Sequence, residues 1–231
     1  VADITSLLPL VDASPGDGVY GATDPSGTPG DALFDVGSIG GAKIYPVFTP
    51  PVDGDFAWIN QGGAAVDATG NGILLSVPLT AGNSLRIRKK AEPGATYVIT
   101  AAFLPTMQWQ NGNPGFGLGW RESGSGKLAV IRFYSPGQTV LRILSSKFTS
   151  PTALSADYVD NWHTLQGLYW LQIERTATDR IVRFSADGVY WIQLDTQLVA
   201  DFLTPDEVCF FGDSNNGASP MGVRLLSWEE V

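Results

Sequence analysis

Three stretches carry residue types suited to holding a sugar: Trp109-Gln110-Asn111-Gly112-Asn113, Tyr158 to His163, and Asp213-Ser214-Asn215-Asn216. A sugar site combines a flat apolar ring that stacks on the C–H face of the sugar with amides and carboxylates that hydrogen-bond its hydroxyls. The candidate contacts are therefore Trp109, Asn111, Asn113, Tyr158, Asp160, Trp162, His163, Asp213, Asn215 and Asn216, all expected in loops. Exposed Trp and Tyr side chains also anchor protein neighbours, so contact with another subunit is the second reading of the same loops. Whether the loops converge on one edge is not legible from their order in the chain.

Other chemistries find less support. His163 is the one histidine, which excludes a site of two or three histidines for a metal. A Ser-His-Asp triad would have to use it, yet no G-x-S-x-G elbow exists, and Ser155 and Asp157 sit in an expected loop of ordinary composition. Asp157, Asp160 and Asn161, or Asp213, Asn215 and Asn216, offer hard oxygen ligands to calcium, though neither set follows an EF-hand pattern. No cofactor is expected, with calcium the one candidate. Cys209, the single cysteine, lies in Val-Cys-Phe-Phe and reads as a small buried hydrophobe.

Charge narrows the partners. Fourteen Lys and Arg against 23 Asp and Glu give a net charge of −9, which opposes attraction to nucleic acid or anionic lipid. No run approaches the roughly 18 apolar residues of a membrane span. The opening VADITSLLPLVDAS carries Asp3 where a secretion signal would be basic, so no retained signal is expected.

The elements that must position these residues read as strands. In Tyr169 to Arg175, Tyr169, Leu171 and Ile173 share one face, the period-2 pattern of a half-buried strand. Val182 and Phe184 point inward from the next strand. Asp187-Gly188 then suits a two-residue type I′ hairpin, pairing Phe184 with Trp191 and placing Trp191 in the core. Further strands are expected over Phe56–Asn60, Gly72–Val77, Ser84–Lys89, Thr96–Leu104, Phe116–Glu122, Leu128–Ser135, Thr139–Lys147, Glu207–Gly212 and Met221–Glu229. In Leu128–Ser135, Ala129, Ile131 and Phe133 face inward and Arg132 outward. Val199–Thr204 is a candidate helical turn. Residues 1–51, rich in Gly and Pro with short apolar islands, form an irregular N-terminal arm, and 52–231 form one domain. The arm either packs on that domain or attaches it to neighbouring subunits.

The meander LQIERxxxDRIVRFSxDGxxW resembles the late strands of the concanavalin A-like lectin/glucanase superfamily, particularly its non-catalytic modules, over about Phe48 to Val231. The resemblance implies an all-β antiparallel two-sheet β-sandwich, a jelly roll, preceded by the arm. Glucanases of that superfamily carry an E-x-D-x-(x)-E strand with its carboxylates aimed into one cleft. Here the comparable strand holds only Glu174 followed by Arg175, so a non-enzymatic protein is expected. Glu122 and Glu174 are the two carboxylates left for folding to bring together. FTPPVDGDFAWINQGGAAVD, ILLSVP and LRIRKKA are similar to a block that opens such modules in bacteriophage virion proteins. This implies a virion location, as a capsid decoration, head fibre or tail fibre. The implied partners are other virion subunits or a homo-oligomer, and surface glycan. The alternatives are a free, extracellular carbohydrate-binding module or a glycoside hydrolase of the same fold.

Overall fold

The computed structural model describes residues 46–106, 112–136, 141–163, 168–216 and 219–231; for Trp162 and His163 it describes the backbone alone. The chain divides into two units, Val1–Pro46 and Val47–Val231. The first, with its share of the expected arm, lies outside the described residues except for Pro46.

Alternating apolar residues build strands β1 (Ala57–Ile59), β2 (Ala65–Asp67), β3 (Ile73–Val77), β4 (Arg86–Ala91), β5 (Tyr97–Pro105), β6 (Gly115–Arg121) and β7 (Leu128–Tyr134). They continue as β8 (Leu141–Ser150), β9 (Ala153–His163), β10 (Tyr169–Arg175), β11 (Asp179–Ser185), β12 (Ile192–Leu198), β13 (Glu207–Asp213) and β14 (Met221–Glu230). The front sheet runs β1-β4-β13-β6-β7-β8-β9 and the back sheet β12-β11-β10-β5-β14-β3-β2. Every neighbouring pair is antiparallel, so the expected two-sheet sandwich is observed. Between the sheets Phe103, Phe116, Phe133 and Tyr169 meet at ring-centroid distances of 4.5 to 5.7 Å. Ala129, Ile131 and Phe133 face this core, as the alternation of β7 requires.

A second apolar cluster lies on the outer face of the front sheet: Leu85, Ile87, Leu128, Val130, Phe148, Cys209 and Phe211, all buried. What covers it is the β8–β9 hairpin. Three register shifts break that pairing, at Ser145/Ser146, Lys147/Phe148 and Phe148/Ser150, and bulges bend and twist a strand. The bent hairpin carries its turn back across the sheet until Pro151 O accepts a hydrogen bond from Leu85 N at 2.9 Å, beside β4. Cys209 is fully buried here, and burial pushes its thiol up to about 12.

Four sequence expectations are corrected. Tyr158 to His163, with Ser155 and Asp157, belong to β9 and not to a loop; its bulges and its edge position erase the alternation that marks a strand. The Asp187-Gly188 turn is wider than two residues, since Phe184 pairs with Ile192. Ser185 Oγ accepts the N–H groups of Asp187 and Gly188, and Asp187 Oδ1 those of Val189 and Tyr190, so side chains stabilise a longer loop. Trp191 consequently sits in that loop, half-buried and outside the core. Val199–Thr204 is not helical: Phe202 takes a φ of 66°, and Arg180 and Lys127 hold the carbonyls of Asp201 and Phe202.

Candidate functional site

Backbone register assembles the site on the outer face of the front sheet. One row runs Asp213, Gly115, Tyr134, Arg142; the next runs Phe211, Gly117, Arg132, Leu144, Asp160; a third runs Cys209, Gly119, Val130, then Ser146 and Asp157. In β6 (GFGLGWR) glycine occupies each of these outward positions, while Phe116, Leu118 and Trp120 fill the core. A Cβ at Gly117 would lie 2.9 Å from the Phe211 ring, and one at Gly119 2.6 Å from Val130 Cγ1. Neighbouring side chains thus pack close over β6, and the β8–β9 turn reaches this face at Leu85.

Around Tyr134 stand four charges. Arg132, 4% exposed, donates from Nε to Ser146 Oγ at 3.0 Å and from Nη2 to Asp157 at 3.5 Å. Its guanidinium lies 4.9 Å from the Tyr134 ring centroid and 5.3 Å from that of Phe148. Ser146 Oγ donates to Asp157 at 2.5 Å, and Arg142 pairs with Asp160 at 2.6 Å. Burial raises the Tyr134 phenol, Arg132 and Arg142 pull it back, and Asp157 and Asp160 add to the rise. Burial also lowers Arg132, against the pull of Asp157 and Asp213.

Asp213 closes the row. Its Oδ1 accepts from Ser84 N and Asn215 N, both at 3.1 Å, and its Oδ2 has no partner among the described residues. At 2% exposure, burial pushes this carboxyl up to about 6, with Arg132 and Arg86 offsetting part of the rise.

Trp109 and Asn111 lie outside the described residues. Asn113 N donates to Asn215 O at 2.8 Å, Asn215 Nδ2 to Asn83 Oδ1 at 2.8 Å, and Asn216 N to Thr80 O at 2.9 Å. The described end of the first stretch and the third stretch therefore meet, at the turn between β3 and β4. Asp160 joins them on the same face through Arg142. Trp162 and His163 sit in register opposite Arg142 and Leu141. Tyr158 does not join: its hydroxyl donates to Asp201, Lys147 Nζ lies 4.4 Å from its ring centroid, and burial pushes it up to about 12.

Sequence reading missed Arg132, Tyr134, Arg142 and Ser146 as site residues, and weighed Asp157 only as a calcium ligand or a triad partner. A signal existed: Arg132 and Tyr134 share one face of an otherwise apolar strand, a pattern read only as an outward face. Glu122 binds Ser125 and Thr204 N, whereas Glu174 pairs with Arg183 on the back sheet, so the two share no partner. Among the described residues no group of three or more His, Cys, Asp or Glu is placed to hold a metal, and no helix is long and apolar enough to cross a membrane.

A half-buried ring with fixed donors and acceptors on both sides can orient a polyhydroxylated ligand. No family model matches the chain, and no curated protein does. Solved structures do match. A GH43 glycoside hydrolase engineered for endo-xylanase and exo-arabinofuranosidase activity aligns at a TM-score of 0.59 and 12% identity, over 79% of this chain and 39% of that one. BlXynB, a GH43 protein of Bacillus licheniformis, aligns at 0.56 and 9% identity, over 79% and 38%. A protein of unknown function from Saccharomyces cerevisiae aligns at 0.57 and 11% identity, over 78% of this chain and 98% of that one. This chain thus spans about two fifths of either GH43 protein, and at these identities the likeness is one of fold.

Proposed function

We propose that the chain is a non-enzymatic glycan-adsorbing module whose binding surface is the outer face of the front sheet. The observation that carries this reading is Tyr134, half-buried and ringed by Arg132, Arg142, Asp157 and Asp160. The ring supplies the stacking surface, and the Arg142–Asp160 pair at the open side supplies a donor and an acceptor for sugar hydroxyls. Two positive and two negative groups surround the ring, a balance that favours a neutral glycan. The occupancy of the carboxylates supports a non-enzymatic reading: Asp157 and Asp160 are tied to arginines, and buried Asp213 holds two backbone N–H groups. The resemblance to bacteriophage virion modules supports placing this module on a virion, with residues 1–51 as the attachment arm to other subunits or to further copies of the chain.

A glycan array followed by calorimetry on the intact chain tests the reading. Tyr134→Ala is expected to weaken binding of a captured neutral glycan by at least about tenfold, or 1.4 kcal/mol, in a chain still folded at the assay temperature. Undiminished binding in that variant locates the ligand elsewhere, and steady release of reducing ends from the captured glycan replaces adsorption with hydrolysis.

A further inference from the structure

Eight ion pairs join the described residues, and Arg142–Asp160 is the most open of them, with side chains 30% and 39% exposed. Backbone register sets this pair beside the Tyr134 ring. Arg142 on β8 lies directly opposite Tyr134 on β7, and Asp160 on β9 pairs with Leu144, two residues along β8. Side chains directly opposite one another stand about 5 Å apart at Cβ, so the guanidinium and the ring are neighbours. On the other flank of Tyr134 the register partner is Gly115, which offers no side chain. Arg142 Nη1 lies 2.6 Å from Asp160 Oδ2. A guanidinium carries five N–H donors and a carboxylate about four acceptor positions, so binding each other exhausts neither.

A fixed donor beside a fixed acceptor selects a ligand that carries the reverse pair at the same spacing. One hydroxyl oxygen at hydrogen-bond distance from both atoms would see them at an angle of about 55°, too narrow for its O–H and a lone pair to point at each. Two hydroxyls meet the pair in parallel, because the oxygens of a gauche vicinal diol stand about 2.8 Å apart, one hydrogen-bond length. In a diaxial diol the oxygens point to opposite sides of the ring and only one can reach the pair. A trans peptide likewise turns its N–H and C=O to opposite sides. A charged group meets its own sign in one half of the pair. The geometry points to a saccharide with a free gauche vicinal diol as the ligand of the Tyr134 face, a narrowing that rests on the outer-face reading. One diol oxygen accepts from an Arg142 N–H, and its neighbour donates to the Asp160 carboxylate. A sugar stacked on Tyr134 sends its equatorial hydroxyls sideways in the plane of its own ring, so pyranoses with adjacent equatorial hydroxyls are the fitting class.

Xylohexaose tests the diol, because its internal residues carry an equatorial 2,3-diol and no other hydroxyl. Calorimetry on the intact chain compares it with its fully O-methylated form, which keeps the rings and the oxygens and donates no hydrogen bond. O-methylation is expected to weaken binding at least about tenfold. Asp160→Ala is expected to close most of that gap by weakening xylohexaose alone, since methylation has already removed the hydrogen that Asp160 accepts. A variant with a merely damaged surface weakens both forms alike. Three results overturn the diol inference and leave the outer-face reading standing: equal binding of the two forms, equal loss for both in Asp160→Ala, or no binding of xylohexaose by a chain that captures another neutral glycan through Tyr134. Xylohexaose binding that Tyr134→Ala leaves intact, or no capture of any neutral glycan, removes the outer-face reading itself and the diol with it.

Discussion

The two outer faces of this sandwich start from the same alternation and end as different surfaces. On the back sheet, Gln172 Nε2 donates to Thr100 Oγ1 at 3.1 Å, Arg183 Nη1 donates to Gln172 Oε1 at 3.0 Å, and Arg183 pairs with Glu174 at 2.6 Å. These groups form a cross-strand ladder open to water. Trp170, a large apolar side chain buried there, is covered by Phe48, from the segment before β1, at a ring-centroid distance of 5.3 Å. On the front sheet the glycines of β6 let side chains lie flat, and the bulged β8–β9 hairpin folds back over them. Arg132 and Asp213 are then held where water is scarce. A sheet face becomes a site when backbone geometry desolvates its polar residues; the same residue types on a flat face remain a ladder.

The strongest way to break this comparison is to remove what holds the hairpin down. Phe148 is fully buried in the second cluster, and its truncation leaves a cavity under the hairpin. Phe148→Ala is expected to cost about 3 to 5 kcal/mol in denaturant unfolding. Phe48→Ala on the back face removes a cover that is itself 44% exposed and is expected to cost about 1 kcal/mol. Equal losses would mean that the front-face cluster is no true second core.

Asp213 supplies the next test, through pH. Its carboxyl stands at about 6 in the folded chain, against about 3.9 in an unfolded one. Between those values the folded state binds more protons, so the stability contributed by the protonated group is complete below about pH 4 and is lost as pH rises through 6. A shift of about two units corresponds to roughly 3 kcal/mol at most. Asp213→Asn stays uncharged and can still accept from Ser84 and Asn215 N–H. Its stability relative to the parent is therefore expected to rise between pH 4 and pH 7, by up to that amount. Parallel stability curves for the two chains would show that the front face leaves Asp213 hydrated.

How far the sequence discloses these differences depends on the range of the cause. Apolar alternation is local, so β10 is read to the residue and β7 is oriented correctly. The glycine spacing of β6 is visible too, but its meaning depends on Phe211 and Val130, which arrive from β13 and β7. The bend of β8–β9 is set by bulges, which shift the alternation and make β9 resemble a loop. Tyr158 and Asp160, neighbours in the chain, point to different partners for that reason: Asp201 for one and Arg142 for the other. Asp213, expected in a loop, ends β13, and Asn215 lies in the turn that follows; both are legible as polar residues, while the burial that raises Asp213 comes from elements remote in sequence. Arg132 is the sharpest case, since an outward arginine on a strand is ordinarily hydrated, and only the curl of the hairpin over it makes it part of a site.

The smallest expected effect sharpens the comparison from the flat side. Arg183 and Glu174 form their pair with side chains 22% and 24% exposed, on the sheet that does not carry the β8–β9 hairpin. Water and salt screen such a pair, and two long side chains lose freedom in forming it. A double-mutant cycle with Arg183→Ala and Glu174→Ala is expected to give a coupling below about 1 kcal/mol that fades at 1 M salt, where the screening length is about 3 Å. The matching cycle on Arg132 and Asp157, whose arginine side chain is 5% exposed, is expected to give more and to resist salt, because removing Asp157 leaves a buried charge short of its carboxylate. If the back-face pair proves as strong and as insensitive to salt, desolvation is not what separates the two faces, and the front face has no physical distinction as a binding surface.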